Sequence, residues 1–429
     1  MSRTRLLAVV FGALTFVSLA LATTPAAGAA GPADTAAAAK AVDWLKTQQQ
    51  ADGGFEVAGS PGFETRDAVL SIAEVAQSGS TWSTSEALNA VQAVTKSGKN
   101  PLDALDTYAD SGIGAGAAGK LIVLVVAPLG LDPAHFDPAG NGGSGSDLVT
   151  LLGSPNGSGS FGVFNDTLYG ALAWKLVHGS VPASTVGAIR AAQEASGGWD
   201  FSGDPSKTTV DVDTTALAIQ ALVAAGVPTS DPALQHALTF LATNQNANGS
   251  WSSFGSPDPN STSTATMAVT ATGYDTSTSC WRDTFDRTKV GTPYAAPDAF
   301  LRSLQQADGR IASPNDSFGI NTFATTQTVE ALLRSWLPVE RAASQPCVEP
   351  ASATPPSTVT PVSAPPAATP ANVEGTSVEN GDTVAGALPN TGSRDTAPLT
   401  AVGVACVAIG AATVVASRRR DGRRTLASK

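Results

Sequence analysis

Histidine, cysteine and methionine are scarce in this chain: three, three and two among 429 residues. His135, His178, His236 and Cys280 fall at no spacing that would gather them round a zinc ion, so neither a metal centre nor a cofactor is expected. Basic residues are also few, 25 against 36 acidic ones for a net charge of −11. That balance argues against nucleic acid and anionic lipid as partners. Aromatic residues make up 6% of the chain, and the long apolar runs are confined to its two ends. Between the ends lie about 300 residues, long for one domain unless a repeat builds it.

Both ends look like targeting segments. Arg3 and Arg5 precede an apolar stretch over 6–22, and Ala27, Gly28 and Ala29 supply the small residues of a cleavage site, so 1–29 reads as a signal peptide. At the other end Leu388, Pro389, Asn390, Thr391 and Gly392 stand before an apolar run over 396–416 and then Arg418, Arg419, Arg420, Arg423 and Arg424. A run of that length spans a bilayer as a helix, and the arginines hold its end in the cytoplasm. The arrangement resembles the LPxTG sorting signal of Gram-positive surface proteins. The resemblance implies a sortase as partner, attack on the Thr391 carbonyl, loss of the transmembrane sorting segment 393–429, and covalent attachment of Thr391 to peptidoglycan. The product would be secreted and anchored in the cell wall. Nine of the 25 basic residues but two of the 36 acidic ones lie in the removed pieces, so the net charge would move from −11 to −18. Ahead of the motif, 345–387 is rich in Pro, Ala, Thr and Ser and nearly free of aromatics. It cannot bury enough apolar area to offset its ordering entropy and reads as a disordered stalk, reaching about 130 Å if polyproline-like.

The domain between, 30–344, carries a repeat. Residues 49–55 read QQADGGF, 193–199 QEASGGW, 245–251 QNANGSW and 305–311 QQADGRI, and 155–161 is a degenerate copy without the glutamine. A helical pattern precedes each turn, and a more apolar helix follows, opened by Thr65-Arg66-Asp67, Asp166-Thr167, Asp213-Thr214-Thr215, Ser263-Thr264 or Thr325-Thr326. Those small polar residues are expected to cap helix starts. Six hairpins are expected in an all-α fold, the second built from 86–95 and 117–127.

The Q-x-x-x-G-G-W turns followed by D-x-D-T-T-A resemble the repeats of the terpenoid cyclase and protein prenyltransferase superfamily, which implies an α6/α6 toroid. That superfamily also includes zinc-dependent prenyltransferases, thioester domains and cobalamin carriers. The zinc site lacks its ligands here, and Cys280 stands in Thr278-Ser279-Cys280-Trp281, outside any thioester motif. Asp211-Val212-Asp213-Thr214-Thr215-Ala216 is similar to the class II cyclase motif D-x-D-D-T-A, with Thr214 where a second carboxylate belongs. The resemblance would make Asp213 a catalytic acid, with Asp211 beside it. The alternative is that both aspartates cap a helix and favour its positive dipole end. A polysaccharide-cleaving pair with Asp67 or Asp166 is a third option.

Phe55, Trp199 and Trp251 are expected to pack on the glutamine stems of their own repeats rather than to bind sugar. In an exported protein Cys280 and Cys347 are expected to pair as a disulfide. The reading that results is a wall-anchored surface protein whose toroid serves as a binding or interaction module for an unidentified small-molecule or surface ligand and is not an enzyme. An exported enzyme, cyclase-like with Asp213 as general acid or carbohydrate-active, is the alternative.

Overall fold

The computed structural model describes residues 30–338 apart from 56–61, 80, 141–144, 208 and 316–319. Residues 1–29, expected as a signal peptide, Cys347, the expected stalk over 345–387, the LPxTG-like residues 388–392 and the segment 393–429 lie outside the described residues.

The architecture is helix-rich. Its helices are α1 Pro32–Thr47, α2 Thr65–Ala76, α3 Thr84–Gln92, α4 Pro101–Ala109 and α5 Ala115–Leu121, which runs through a π turn at Ile122–Val126 into α6 Ala127–Leu129. There follow α7 Leu148–Leu152, α8 Phe164–His178, α9 Ala183–Ala191, α10 Val212–Ala224 and α11 Pro232–Asn244. The last are α12 Pro259–Ala271, α13 Cys280–Phe285, α14 Pro297–Ser303 and α15 Thr322–Leu332. One small hairpin, Trp251–Ser253 paired antiparallel with Ser256–Asp258, precedes α12.

The helices that follow the turns form the interior. On α10 every residue from Thr214 to Leu222 is buried, and on α12 every residue from Ala265 to Ala271. Six of them pack in chain order: α2 on the π turn, α5 on α8, α8 on α10, α10 on α12 and α12 on α15, and α15 then packs against α2. The helices before the turns lie outside and mix small apolar with polar residues.

Each turn is held by the same short set of bonds, which explains its sequence. The glutamine Nε2 donates to the carbonyl of the glycine four residues on: Gln49 to Gly53 at 3.0 Å, Gln193 to Gly197 at 2.7 Å, Gln245 to Gly249 at 3.2 Å and Gln305 to Gly309 at 3.1 Å. In three of the four it also donates to a carbonyl near the next outer segment, Val94, Ala233 and Ala37 respectively. The anchor residue's amide donates to a threonine of the inner helix: Phe55 to Thr65, Phe161 to Thr167, Trp199 to Thr215, Trp251 to Thr262 and Ile311 to Thr325. These threonines were expected as caps; most instead receive the anchor. True capping falls to Asp211 on α10 and Asp258 on α12.

Gly309 shows why the turn demands glycine. Its φ is +107°, and a Cβ there would run into the carbonyl oxygen of Lys40 on α1. The last turn thus sits against the first helix. Arg302 of α14 reinforces that seam by pairing with Asp34 of α1 and, at 2.9 Å, with Asp298.

One expectation needs correction. The second repeat contains an extra helix, α4, and it is the N-terminus of α4, not α3, that abuts Gly53. Nothing in 96–109 resembles the other turns, so the pattern could not reveal it. The turn indoles are tied to the backbone, Trp199 Nε1 donating to Ile189 O at 2.7 Å and Trp251 Nε1 to Leu241 O at 2.8 Å. The glutamines fasten the turns through their amides. Cys280 is disulfide-bonded, and the chain's other cysteines lie outside the described residues.

Candidate active site

The threonine and aspartate at the start of α10 divide the work that the sequence left shared. Asp211, the residue before the first turn, accepts from the amides of Asp213 at 2.8 Å and Thr214 at 3.4 Å, and from the Thr214 hydroxyl. It is the cap, as one reading of the motif expected. Asp213 is not. Two residues further on, its side chain has swung round the helix toward α12, where Oδ1 accepts from Thr264 Oγ1 at 2.7 Å and Oδ2 from Ser261 Oγ at 3.1 Å.

Burial pushes the Asp213 carboxyl up to about 7, and the nearby charges of Asp211 and Asp258 push the same way. The Thr264 and Ser261 hydroxyls oppose the shift. Asp211 is also raised by burial, against the three hydrogen bonds it accepts from Asp213 and Thr214. Amides favour the charged form of Asp211, so the shared proton resides on Asp213. The pair therefore offers one neutral carboxylic acid near neutral pH, beside a carboxylate fixed as a cap.

Solvent reaches this acid from one side. On α10, α12 and α15 the half-exposed positions of the first two turns are Asp213, then Asn260 and Thr264, then Phe323 and Gln327. Beyond them each helix is buried as far as Leu222, Ala271 and Leu332. Asn260 Nδ2 donates to Gln327 Oε1 at 2.9 Å and joins the second helix to the third. The result is a recess at the starting end of the inner helices, polar where these side chains face it.

Other charged groups lie on the neighbouring inner helices. Tyr169 on α8 is held protonated first by burial and then by the charges of Asp67 and Glu330, with Asp213 contributing as well. The Lys120 ammonium of α5 lies 4.8 Å from the centre of the Tyr169 ring. Burial, with help from Arg66, pushes that lysine down to about 8. Asp67 and Asp166, the sequence candidates for a second acid, stand at the starts of α2 and α8 and both act on Lys120. Glu330 on α15 is 3% exposed, its Oε1 has no hydrogen-bond partner, and burial together with Glu74 and Asp67 keeps it protonated.

The motif thus located Asp211 and Asp213 but not their partners. Thr264 stood in a segment noted as a helix start, whereas Ser261, Lys120, Tyr169 and Glu330 carried no signal. A glutamate among the threonines and apolar residues of Thr322–Leu332 could have raised the question. Among the described residues no group of three or more His, Cys, Asp or Glu side chains is placed to hold a metal ion.

Neither a protein-family profile nor a curated protein matches the sequence. Several solved structures do. A variant of the type II terpene cyclase MstE from Scytonema, in complex with the product merosterolic acid A, is 14% identical with a TM-score of 0.48, over 70% of this chain and 96% of that one. The same cyclase without ligand is 15% identical with a TM-score of 0.47, over 70% and 97%. Another variant, in complex with the substrate geranylgeranyl dihydroxybenzoate, is 14% identical with a TM-score of 0.46 over the same shares. These neighbours are enzymes, whereas the sequence reading leans toward a module without catalysis.

Proposed function

We propose that residues 30–344 form a single α6/α6 toroid that works as a general-acid enzyme, cyclase-like in its chemistry, with Asp213 as the proton donor. The toroid reading is supported by six inner helices that pack in chain order and by the last turn, which fits against the first helix. The observation that carries the acid reading is the Asp213 carboxyl itself: protonated near neutral pH, half-exposed at the recess, and held by two hydroxyls. Transfer of its proton to an alkene carbon or an epoxide oxygen would leave a carboxylate, and the hydroxyls of Thr264 and Ser261 would then stabilise that charge. The proton returns when the resulting cation loses one of its own.

Export and wall attachment belong to the same reading. A signal peptide over 1–29, a stalk over 345–387 and sortase cleavage after Thr391 would place the enzyme outside the cell, covalently on peptidoglycan.

Incubation of the domain with polyprenyl alkenes and their epoxides in D2O, read by mass spectrometry, tests the acid. Conversion to an isomer carrying deuterium, lost in Asp213→Asn with the fold intact, is expected. Equal turnover by Asp213→Asn, or none by the native chain, refutes it. For the anchor, the released wall fragment should end at Thr391, and a host without sortase should shed the protein or keep it in the membrane.

A further inference from the structure

Among the described residues, five of the seven large apolar side chains left exposed stand on one rim. Phe63 lies two residues before α2, its ring 5.1 Å from that of Phe323, Val163 is the residue before α8, Phe201 lies in the loop that leads to α10, Phe254 tips the hairpin before α12, and Ile320 lies two residues before α15. Each comes from a different repeat, and together they surround the end where the recess of Asp213 opens. Isolated exposed apolar residues are ordinary; five on successive loops round one opening are not.

Phe254 supplies a second observation. Phe254 and Gly255 are the two central residues of the hairpin, with φ of +49° and +82°. A two-residue turn with both φ positive favours Asn-Gly or Gly-Gly, and a phenylalanine there is strained. Its ring is 85% exposed, so no packing within the domain offsets the strain. The position displays an aromatic ring to something outside.

We propose that this rim docks on a lipid surface with uncharged or zwitterionic head groups, through which an apolar substrate enters the recess. The inference rests on the reading of the site as one that takes an apolar substrate. A ring of loop tips suits an extended surface better than a single peptide or helix, which would need a groove. The acidic chain, at −11, disfavours anionic lipid. Chain length agrees as well. Leu337, among the last described residues, follows the far end of α15, on the side opposite the rim. Between there and Thr391 lie about fifty residues, about 160 Å if extended, enough for a wall-attached domain to turn its rim toward a bilayer.

The test uses the chain from 30 to 391, which contains the entire core between Ala37 and Leu337, and vesicles of phosphatidylcholine. Co-sedimentation should show binding, and the pair Phe201→Ser with Phe254→Asn should lower the partition coefficient by about tenfold. Asparagine accepts the positive φ better than phenylalanine, so Phe254→Asn should not lower thermal stability, and lost binding cannot then be blamed on unfolding. Asp213→Asn should leave partition unchanged, which separates failure of the docking from failure of the acid. Equal partition of the native chain and the double variant overturns the proposal, and so does absence of binding. A concentration-dependent dimer abolished by the same pair, without vesicle binding, would overturn it in favour of self-association.

Discussion

Replacing Asp213 by asparagine should stabilise the domain at alkaline pH while it removes the acid. The carboxyl titrates at about 7 in the folded chain against 3.8 for an unperturbed aspartate. The folded form therefore binds the proton more tightly, so this group's contribution is fully present below 3.8, declines as pH rises, and is lost above about 7. At about 1.4 kcal/mol per pH unit the loss is at most about 4 kcal/mol, and water reaching the half-exposed side chain lowers it to an expected 2–3 kcal/mol, roughly. Asparagine never ionises, and its amide can still meet the Ser261 and Thr264 hydroxyls. Urea unfolding of both proteins from about pH 4 to pH 9 isolates the term, because the other raised carboxyls, Glu330 and Asp211 among them, are common to both. The variant should match the native protein near pH 4 and pull ahead steadily up to pH 7. Parallel curves would mean that Asp213 titrates like an ordinary surface aspartate. A variant weaker at every pH would mean that the ionised carboxylate is structural, and the acid assignment would fall with either result.

Three further outcomes test the framework. Gly309→Ala must both tolerate a φ of +107° and push its Cβ into Lys40 O, whereas Gly79→Ala, at +79° with open space around it, meets only the backbone term. The first should cost about 3 kcal/mol or more in urea unfolding and the second about 1 kcal/mol; equal costs would show that the last turn does not close on α1. Thr215→Val keeps the shape but strands the buried Trp199 amide, which donates to Thr215 Oγ1 at 3.0 Å, and should cost about 1–3 kcal/mol. A neutral result would dismiss the repeated anchor bond as a stabilising element. Finally, Cys280→Ser should lower stability by about 2–4 kcal/mol, and non-reducing peptide mapping should recover Cys280 joined to Cys347 rather than Cys406.

Local geometry was legible in the sequence because it is written at fixed spacing. A glutamine amide reaches the carbonyl four residues on only when a glycine opens the turn, and the Q-x-x-x-G pattern records that constraint four times. Where the constraint is absent, in the second repeat, the pattern fell silent and α4 was missed. Contacts between repeats leave no such mark. Asp211 and Asp213 are equivalent in a motif, both acidic and both at a helix start, and what separates them is Ser261 and Thr264, about fifty residues away on α12. The cap needs only its own helix, so any start in the chain can supply one. A buried neutral acid needs walls from other helices, and those walls explain both the raised pKa and the absence of a local signature. The same holds for Glu330, whose proton is held first by burial and then by Glu74 and Asp67 from the far end of the sequence. In a fold assembled from repeated hairpins, the structural roles repeat with the motif; a residue such as Asp213, whose partners lie on another inner helix and not in its own turn, stands outside that pattern, and it is there that function is to be sought.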